Sequence, residues 1–254
     1  MDTPKVVTII QARMASSRLP GKVLKDIGGR AMLGWVVERA RQATAVSETV
    51  VATTTEAEDD AVEAFCLEHG YPCFRGSMHD VLDRYYQAAR QYEAEVIVRI
   101  TADCPLIDRE SIDQVVETFL DAEPALDFAA NRFPMERTVP IGLDTEICTF
   151  SALETAWKEA AEPHQREHVM PFFYEHPERF NILHIRHSPD YGHLRWAVDT
   201  QEDLEMVRSL VAHFSPRADF SWQEIIQLIE KRPELQEINA AVRHKDYREV
   251  DTRR

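Results

Sequence analysis

The 254-residue sequence contains little cysteine and lacks any Cys-x-x-Cys pair. Its four cysteines, Cys66, Cys73, Cys104 and Cys148, match the ligand spacing of no zinc module, and such a set is typical of reduced thiols in a cytosolic protein. A long hydrophobic run is also lacking, because the apolar stretch at residues 6–10 is too short for a signal peptide or a membrane span. We therefore expect a soluble, cytoplasmic protein with no membrane partner.

Positive charge is scarce as well. The sequence has 29 Lys and Arg against 44 Asp and Glu, which gives a formal net charge of -15. Non-specific binding to nucleic acid needs clustered Lys and Arg, so we expect no nucleic-acid partner. A small anionic ligand is compatible with this balance if the positive charges that bind it are concentrated in one place.

Short apolar runs alternate with amphipathic stretches through the first half of the chain, and we find no internal repeat. This alternation predicts an α/β fold with a mostly parallel central sheet and helices on both faces. The predicted strands are residues 6–10, 49–53, 72–74, 95–101 and 126–130. The predicted helices between them are residues 32–43, 56–69, 81–92 and 109–121.

The second half of the chain is less regular. Residues 131–140 read as a loop, residues 143–150, 180–187 and 194–198 as strands, and residues 151–161, 165–176 and 201–214 as helices. The length suits one domain at residues 1–242, followed by a polar tail at residues 243–254. Residues 131–190 are predicted to be a smaller insertion that covers the site or pairs two subunits.

A basic loop at residues 11–25 follows the first predicted strand. It contains Arg13, Arg18, Lys22 and Lys25 and no acidic residue. Arg binds phosphate oxygens as a bidentate fork and Lys binds them as a point charge. The loop has neither the Walker spacing nor a dinucleotide fingerprint. It therefore predicts a phosphate-rich ligand, with a solvated basic loop and Pro-Gly turn as the alternative.

Two aspartates follow apolar predicted strands. Asp103 comes after residues 95–101, and Asp199 after residues 194–198. Carboxylates at strand ends beside a triphosphate are the ligands that Mg²⁺ uses, together with phosphate oxygens and water. As alternatives, Asp103 could lie in a turn or cap a helix, and Asp199 could be the N-cap of the following helix.

Several segments resemble known enzymes. Residues 12–24, Ala-Arg-Met-Ala-Ser-Ser-Arg-Leu-Pro-Gly-Lys-Val-Leu, resemble the signature loop of the CMP-sugar synthetases. Residues 101–107, Thr-Ala-Asp-Cys-Pro-Leu-Ile, and residues 194–204, Leu-Arg-Trp-Ala-Val-Asp-Thr-Gln-Glu-Asp-Leu, resemble two further segments of that family. The resemblance covers residues 5–214 and includes the CMP-KDO and acylneuraminate cytidylyltransferases. It is greatest for the spore-coat polysaccharide cytidylyltransferase-like branch.

The resemblance implies a GT-A-like nucleotidyltransferase fold and a function. A cytidylyltransferase of this kind would transfer CMP from CTP to a sugar acid, with Mg²⁺ as cofactor, a sugar acceptor as second substrate and a homodimer as the assembly. It implies that Asp103 and Asp199 bind the metal and that Arg13 and Lys22 act with them in catalysis.

The resemblance also implies which residues contact the substrates. For the nucleotide these are Gln11, Ala12, Arg13, Ser17, Arg18, Lys22, Thr53, Thr54, Asp80, Val81, Thr101 and Ala102. For the acceptor they are Asn131, Asp144, Glu146, Arg166 and Glu167, with Arg166 as the candidate for its carboxylate. Many relatives have Gly where this chain has Ala102, so the backbone there could approach the nucleotide differently.

Three alternatives stay open at this point. A GT-A glycosyltransferase would use a finished nucleotide sugar, but such enzymes usually carry Asp-x-Asp, which this sequence lacks. A non-catalytic nucleotide-binding subunit would bind CTP without turnover. Residues 164–168, His-Gln-Arg-Glu-His, also fit the pattern of inverted zinc peptidases.

Overall fold

The computed structural model of the chain describes residues 3–133 and 136–243. The strands are β1 (Val6–Gln11), β2 (Asp26–Ile27), β3 (Arg30–Ala31), β4 (Glu48–Thr54), β5 (Cys73–Gly76), β6 (Val96–Thr101), β7 (Phe128–Ala130), β8 (Arg132–Phe133), β9 (Glu136–Arg137), β10 (Glu146–Thr149) and β11 (Ile182–His184). The helices are α1 (Met32–Ala40), α2 (Asp60–His69), α3 (Val81–Gln91), α4 (Arg109–Leu120), α5 (Phe150–Glu159), α6 (Pro163–His168), α7 (Pro171–Glu175), α8 (Gln201–Phe214), α9 (Trp222–Lys231) and α10 (Glu234–Glu237). The polar tail predicted at residues 243–254 lies outside the described residues, except for Arg243.

A seven-stranded sheet in the order β11-β7-β10-β6-β1-β4-β5 forms the centre of the fold. Strands β1, β4 and β6 are rich in Val and Ile and are buried on both faces, as expected for strands covered by helices. All pairings in the sheet are parallel except those of β10, which runs antiparallel to β6 and β7. The C-terminal ends of the parallel strands and the N-terminal end of β10 therefore share one edge.

Helices cover both faces of this sheet and form two hydrophobic clusters. Helices α1, α4, α8 and α9 bury their apolar residues in one cluster. Helices α3, α5 and α7 contribute to the other, in which the rings of Phe128 and Phe173 stack 4.9 Å apart. The predicted α/β class with a mostly parallel sheet is confirmed.

The helix predicted at residues 165–176 is wrong in its extent. The structure has α6 and α7 instead, separated at Val169, which has a φ of 70°. Pro171 begins α7 and, because proline has no backbone N–H, it could not continue α6. The break turns the buried side chains of Val169 and Phe173 into the second cluster.

The strand predicted at residues 194–198 is also wrong. Only an isolated bridge between Ile141 and Arg195 forms there. The apolar residues of this segment are buried in the core as loop, and Trp196 and Val198 are completely inaccessible. In addition, the loop predicted at residues 131–140 contains the small ribbon of β8 and β9.

Among the described residues, no helix is both long enough and apolar enough to cross a bilayer.

Candidate active site

Two carboxylates meet at the edge where the parallel strands end. Asp103 follows β6 by two positions, and Asp199 follows the buried Val198 and precedes α8. The backbone N–H of Val198 donates to the carbonyl of Asp103 at 2.8 Å. This bond fixes the two segments side by side, so their aspartates face the same space.

Lys22 lies between these carboxylates. Its ammonium donates to Asp103 Oδ2 at 2.8 Å, to Asp199 Oδ1 at 2.9 Å and to the Val198 carbonyl at 2.8 Å. Burial by itself would lower the pKa of Lys22, but the facing charges of Asp103 and Asp199 outweigh it and raise that pKa. The three acceptors therefore hold a charged ammonium group on a mostly buried side chain.

Asp199 has two further cationic partners. Arg18 Nη2 lies 2.9 Å and Arg195 Nη2 lies 2.7 Å from its Oδ2 atom. Burial opposes ionisation of Asp199, but Lys22, Arg18 and Arg195 together hold its pKa well below the ordinary value. Asp199 is therefore ionised, and its charge is balanced in the free protein.

The Asp103 and Asp199 pair fits a magnesium ion. One oxygen of each carboxylate lies within 2.9 Å of the same ammonium nitrogen, so a cation already occupies the space between them. Mg²⁺ binds one or two carboxylates at about 2.0–2.1 Å and takes its other ligands from phosphate and water. Within residues 3–133 and 136–243, no set of three His, Cys, Asp or Glu could hold a metal. These two aspartates thus suit an ion that a triphosphate helps to bind.

The basic loop folds back toward this pair. Gly21, with a φ of 66°, donates its N–H to the Met14 carbonyl at 2.9 Å, and a short 3-10 helix (Lys22–Leu24) follows. The N–H of Met14 in turn donates to Asp59 Oδ1 at 2.6 Å. The loop therefore brings Lys22 and Arg18 to the carboxylates.

Other predicted nucleotide contacts line the same edge. The backbones of Ala12 and Ala102 are tied to neighbouring strands, since Ala12 N donates to Ala52 O at 3.1 Å and Ala102 N to Gln11 O at 3.0 Å. Thr101 Oγ1 donates to Asp103 Oδ1 at 2.6 Å and orients that carboxylate. Ser17 is exposed, and burial, with a smaller effect of the nearby Arg13 charge, lowers the pKa of Arg84.

At the ends of β4 and β5 the predicted side chains point into the protein. Thr53 and Thr54 are fully buried, Thr54 hydrogen-bonds Asp59, and Val81 packs in the core. Asp80 caps α3 through a bond from Asp83 N of 2.8 Å. A nucleotide that contacts Thr53, Thr54 or Val81 would therefore do so through their backbone.

The predicted acceptor residues divide into two groups. Asn131 is buried and pins a turn, because its Nδ2 donates to Leu143 O at 2.8 Å and its Oδ1 accepts from Thr145 N at 2.9 Å. Asp144 and Glu146 form ion pairs with arginines at the end of the sheet.

Arg166 and Glu167 lie apart from them on α6. The guanidinium of Arg166 binds Asp80 and donates to the Trp157 carbonyl at 2.6 Å. On the same helix, His164 Nε2 lies 2.8 Å from Glu175 Oε1.

Sequence analysis assigned no role to five residues that the structure places in or beneath this edge: Asp59, Arg99, Arg132, Arg195 and Asp203. A signal existed for two of them. Arg99 and Arg195 are charges inside otherwise apolar segments, and a charge in such a place is rarely buried unless it is paired.

Comparisons with known proteins identify the family of the chain and its fold. Residues 7–246 match the family model described as cytidylyltransferase. A solved cytidylyltransferase from Leptospira borgpetersenii is 37% identical, with a TM-score of 0.89 over 95% of this chain and 100% of that one. CMP:2-keto-3-deoxy-manno-octonic acid synthetase, solved in complex with CTP, is 25% identical, with a TM-score of 0.62 over 83% and 99%. The spore coat polysaccharide biosynthesis protein SpsF of Bacillus subtilis is 31% identical over 239 residues, which are 90% of this chain and 95% of that protein.

Proposed function

This chain belongs to the cytidylyltransferase family, and we propose that it transfers the CMP group of CTP to a sugar acid of the ulosonic or nonulosonic type. A hydroxyl oxygen of the acid attacks the α-phosphorus, the bond to the β-phosphate oxygen breaks, and pyrophosphate leaves. The hydroxyl proton passes to solvent. The observation that carries the proposal is the group of Lys22, Arg18, Asp103 and Asp199 at the strand ends.

In this proposal Asp103 and Asp199 hold Mg²⁺. When bound there, Mg²⁺ would supply polarisation of the α-phosphoryl group and neutralisation of charge on the phosphates. Phosphate oxygens draw Lys22 and Arg18 away from the aspartates, and both side chains then bind the triphosphate together with Arg13. Charge neutralisation and in-line positioning are what this chemistry needs most from a protein.

Two observations support a sugar acid as the acceptor. Arginines are concentrated at the ends of β6, β7 and β9, beyond the basic loop. The solved CMP:2-keto-3-deoxy-manno-octonic acid synthetase is named for such a product, and SpsF is named for polysaccharide synthesis. We extend both likenesses to this chain and propose a role in surface polysaccharide synthesis. Homodimerisation stays a prediction.

The test is a pyrophosphate-release assay on the full chain with Mg²⁺, each of the four nucleoside triphosphates, and a panel of octulosonic and nonulosonic acids. Turnover with CTP and one acid is expected. Lys22→Ala or Asp103→Asn should lower that turnover by about 10²–10³-fold, because each removes a group that stabilises transition-state charge.

Lys5→Ala is the matched control, since Lys5 pairs with Glu48 at the opposite end of the sheet. It should keep wild-type turnover. Near-normal activity of Lys22→Ala, or CTP binding without turnover on any acid, would contradict the proposal. Transfer of sugar from a finished nucleotide sugar would favour a glycosyltransferase instead.

A further inference from the structure

A group of charged side chains lies beside Asp103 on the same edge of the sheet. Arg99, Arg132 and Arg137 face Asp144 and Glu146, and we call these five residues the arginine cluster. Arg99 pairs with Glu146 across β6 and β10, and Arg137 forms a two-bonded pair with Asp144. The cluster occupies the half of the sheet formed by β6, β10 and β7, whereas the basic loop follows β1.

The arginine cluster is joined to the two-aspartate site through the backbone. The turn before Asp144 is bonded to the segment that ends at Asp199, because Ile141 N donates to Leu194 O at 2.9 Å and Trp196 N donates to Ile141 O at 2.7 Å. A ligand held by the cluster therefore lies next to the proposed metal site.

Arg132 has a donor without an acceptor. Among the described residues its Nε is buried and makes no hydrogen bond. The nearest carboxylate oxygens, on Asp144 and Glu146, are 3.6 and 3.8 Å away, which is too far for a hydrogen bond. Arg99 Nε shares this condition. Buried polar groups are nearly always satisfied, so the unpaired Nε donors of Arg132 and Arg99 indicate a missing anion.

The net charge of the arginine cluster indicates which kind of anion it would bind. Three guanidinium groups face two carboxylates, which leaves one positive charge. Burial, and then the charge of Arg186, lower the pKa of His184, so its ring adds no charge at neutral pH. Arg186 itself pairs with Glu136, and the charges of these two side chains cancel. One uncompensated positive charge matches a carboxylate, whereas a phosphate would bring about two negative charges.

We propose that Arg132 binds the carboxylate of the acceptor and so determines specificity for sugar acids, an inference that rests on the proposed function. Arg166, the sequence-based candidate, has its Nε, Nη1 and Nη2 donors engaged by Asp80 and by the Trp157 carbonyl. Arg132, in contrast, has no acceptor for its Nε among the described residues, and 16% of its side chain is exposed.

The test compares an acid with its neutral amide. The substrates are 3-deoxy-manno-octulosonate, or the panel acid that supports the fastest pyrophosphate release, and the C1 carboxamide of the same sugar. For the wild type the amide should raise the acceptor KM about 10- to 100-fold, the loss expected for a charge-assisted hydrogen bond. Arg132→Gln should lose most of this discrimination while the KM for CTP stays unchanged.

Arg132→Lys is the second variant, because it keeps the charge but removes the Nε donor, and it should fall between wild type and Arg132→Gln. Arg186→Gln, an exposed arginine nearby, is the control and should discriminate like wild type.

If Arg132→Gln raises KM equally for acid and amide, the role of Arg132 is structural and the inference is overturned. If the wild type releases no pyrophosphate with any acid, the proposed function fails and the inference with it. Turnover by the wild type with discrimination unchanged in Arg132→Gln and Arg132→Lys overturns the inference alone.

Discussion

At the scale of single residues, the buried Asp203 orients a side chain of the site. It is completely buried and accepts hydrogen bonds from Arg195 Nε at 2.9 Å, from Asn239 Nδ2 at 2.9 Å and from Asp199 N at 2.9 Å. Burial disfavours its charge, but the bonds from Arg195 and Asn239 outweigh burial and lower its pKa. Asp203 thereby orients Arg195, which in turn contacts Asp199.

Asp203→Asn should lower the free energy of unfolding by about 1.5–3 kcal/mol at pH 7, because it weakens the charge-assisted bonds to the buried Arg195, which keeps Asp199 as a partner. The folded pKa of Asp203 lies below its unfolded value near 3.9. The stabilisation is therefore complete above about pH 4 and is lost as the pH falls through the folded pKa. Urea titrations at several pH values check this, with the exposed Asp219→Asn as the control. An equal loss at all pH values would contradict it.

Lys22→Met should change metal binding in the absence of nucleotide. Three cations, Lys22, Arg18 and Arg195, already surround Asp103 and Asp199 and repel a divalent ion. Removing one charge at contact distance should raise the affinity for Mn²⁺ at least about tenfold. Electron paramagnetic resonance of free Mn²⁺ measures this, with Lys5→Met as the control. Unchanged affinity would mean that Lys22 does not compete with the metal.

Sequence analysis could propose only part of the site at the level of single residues. It proposed the basic loop, Asp103 and Asp199, because the chemistry of each is local and each follows a predicted strand. The pairing of Arg166 with Asp80 joins α6 to α3, and the bond from Met14 N to Asp59 joins two loops. Such contacts depend on tertiary packing, which periodicity does not encode.

At the scale of elements, the turn that contains Gly142 joins the arginine cluster to the two-aspartate site. Gly142 has a φ of 110°, and a Cβ there would lie 2.7 Å from the backbone N of Ala197. The turn can therefore pack on the Trp196–Ala197 backbone only because position 142 has no side chain. Its displacement would move Asp144 relative to Asp199.

Gly142→Ala should lower both stability and turnover. Gly29→Ala is the matched control, because Gly29 has a φ of 87° but nothing within 4 Å of the added Cβ. The control should cost about 1–2 kcal/mol from the left-handed backbone alone. Gly142→Ala should exceed this cost by about 1–3 kcal/mol, the penalty of a steric overlap in a packed region. Urea unfolding compares the two, and equal losses would mean that the close approach is unimportant.

The elements differ in how well the sequence predicted them. Helix α8 has the bounds that were predicted, and its N-cap is Thr200, which forms a capping box with Asp203. The alternative role of Asp199 as the N-cap is therefore wrong. Residues 194–198 were predicted as a strand because apolar runs do not distinguish a strand from a buried loop. Their backbone finds partners in Ile141 and Asp103 instead of in the sheet.

At the scale of the whole molecule, the order of the strands separates the two proposed substrate sites. The basic loop follows β1, whose neighbours are β6 and β4, and the arginine cluster lies on the β10 and β7 side of β6. Asp103 follows β6 at the boundary. A protein with a net charge of -15 thus places both its basic loop and its arginine cluster along one edge of the sheet.

CTP with Mg²⁺ should raise the thermal unfolding midpoint. At about 100 times the Kd, binding to the folded state adds about 2.7 kcal/mol, which is about 5–10 °C for a chain of this size. Differential scanning fluorimetry measures the shift, with UTP and GTP as nucleotide controls and Asp103→Asn as the protein control. Equal shifts from all triphosphates would indicate recognition of phosphate without the base.

Because of the position of Lys22, folding of this protein should not require a bound metal ion. Its ammonium bridges Asp103 and Asp199 and has three acceptors of its own, so the strand ends are held together by a covalent part of the chain. A zinc finger, by contrast, unfolds when its ion is removed. A newly synthesised chain of this protein can therefore reach its native state in a cell starved of divalent ions, and an excess of EDTA should leave its thermal midpoint unchanged.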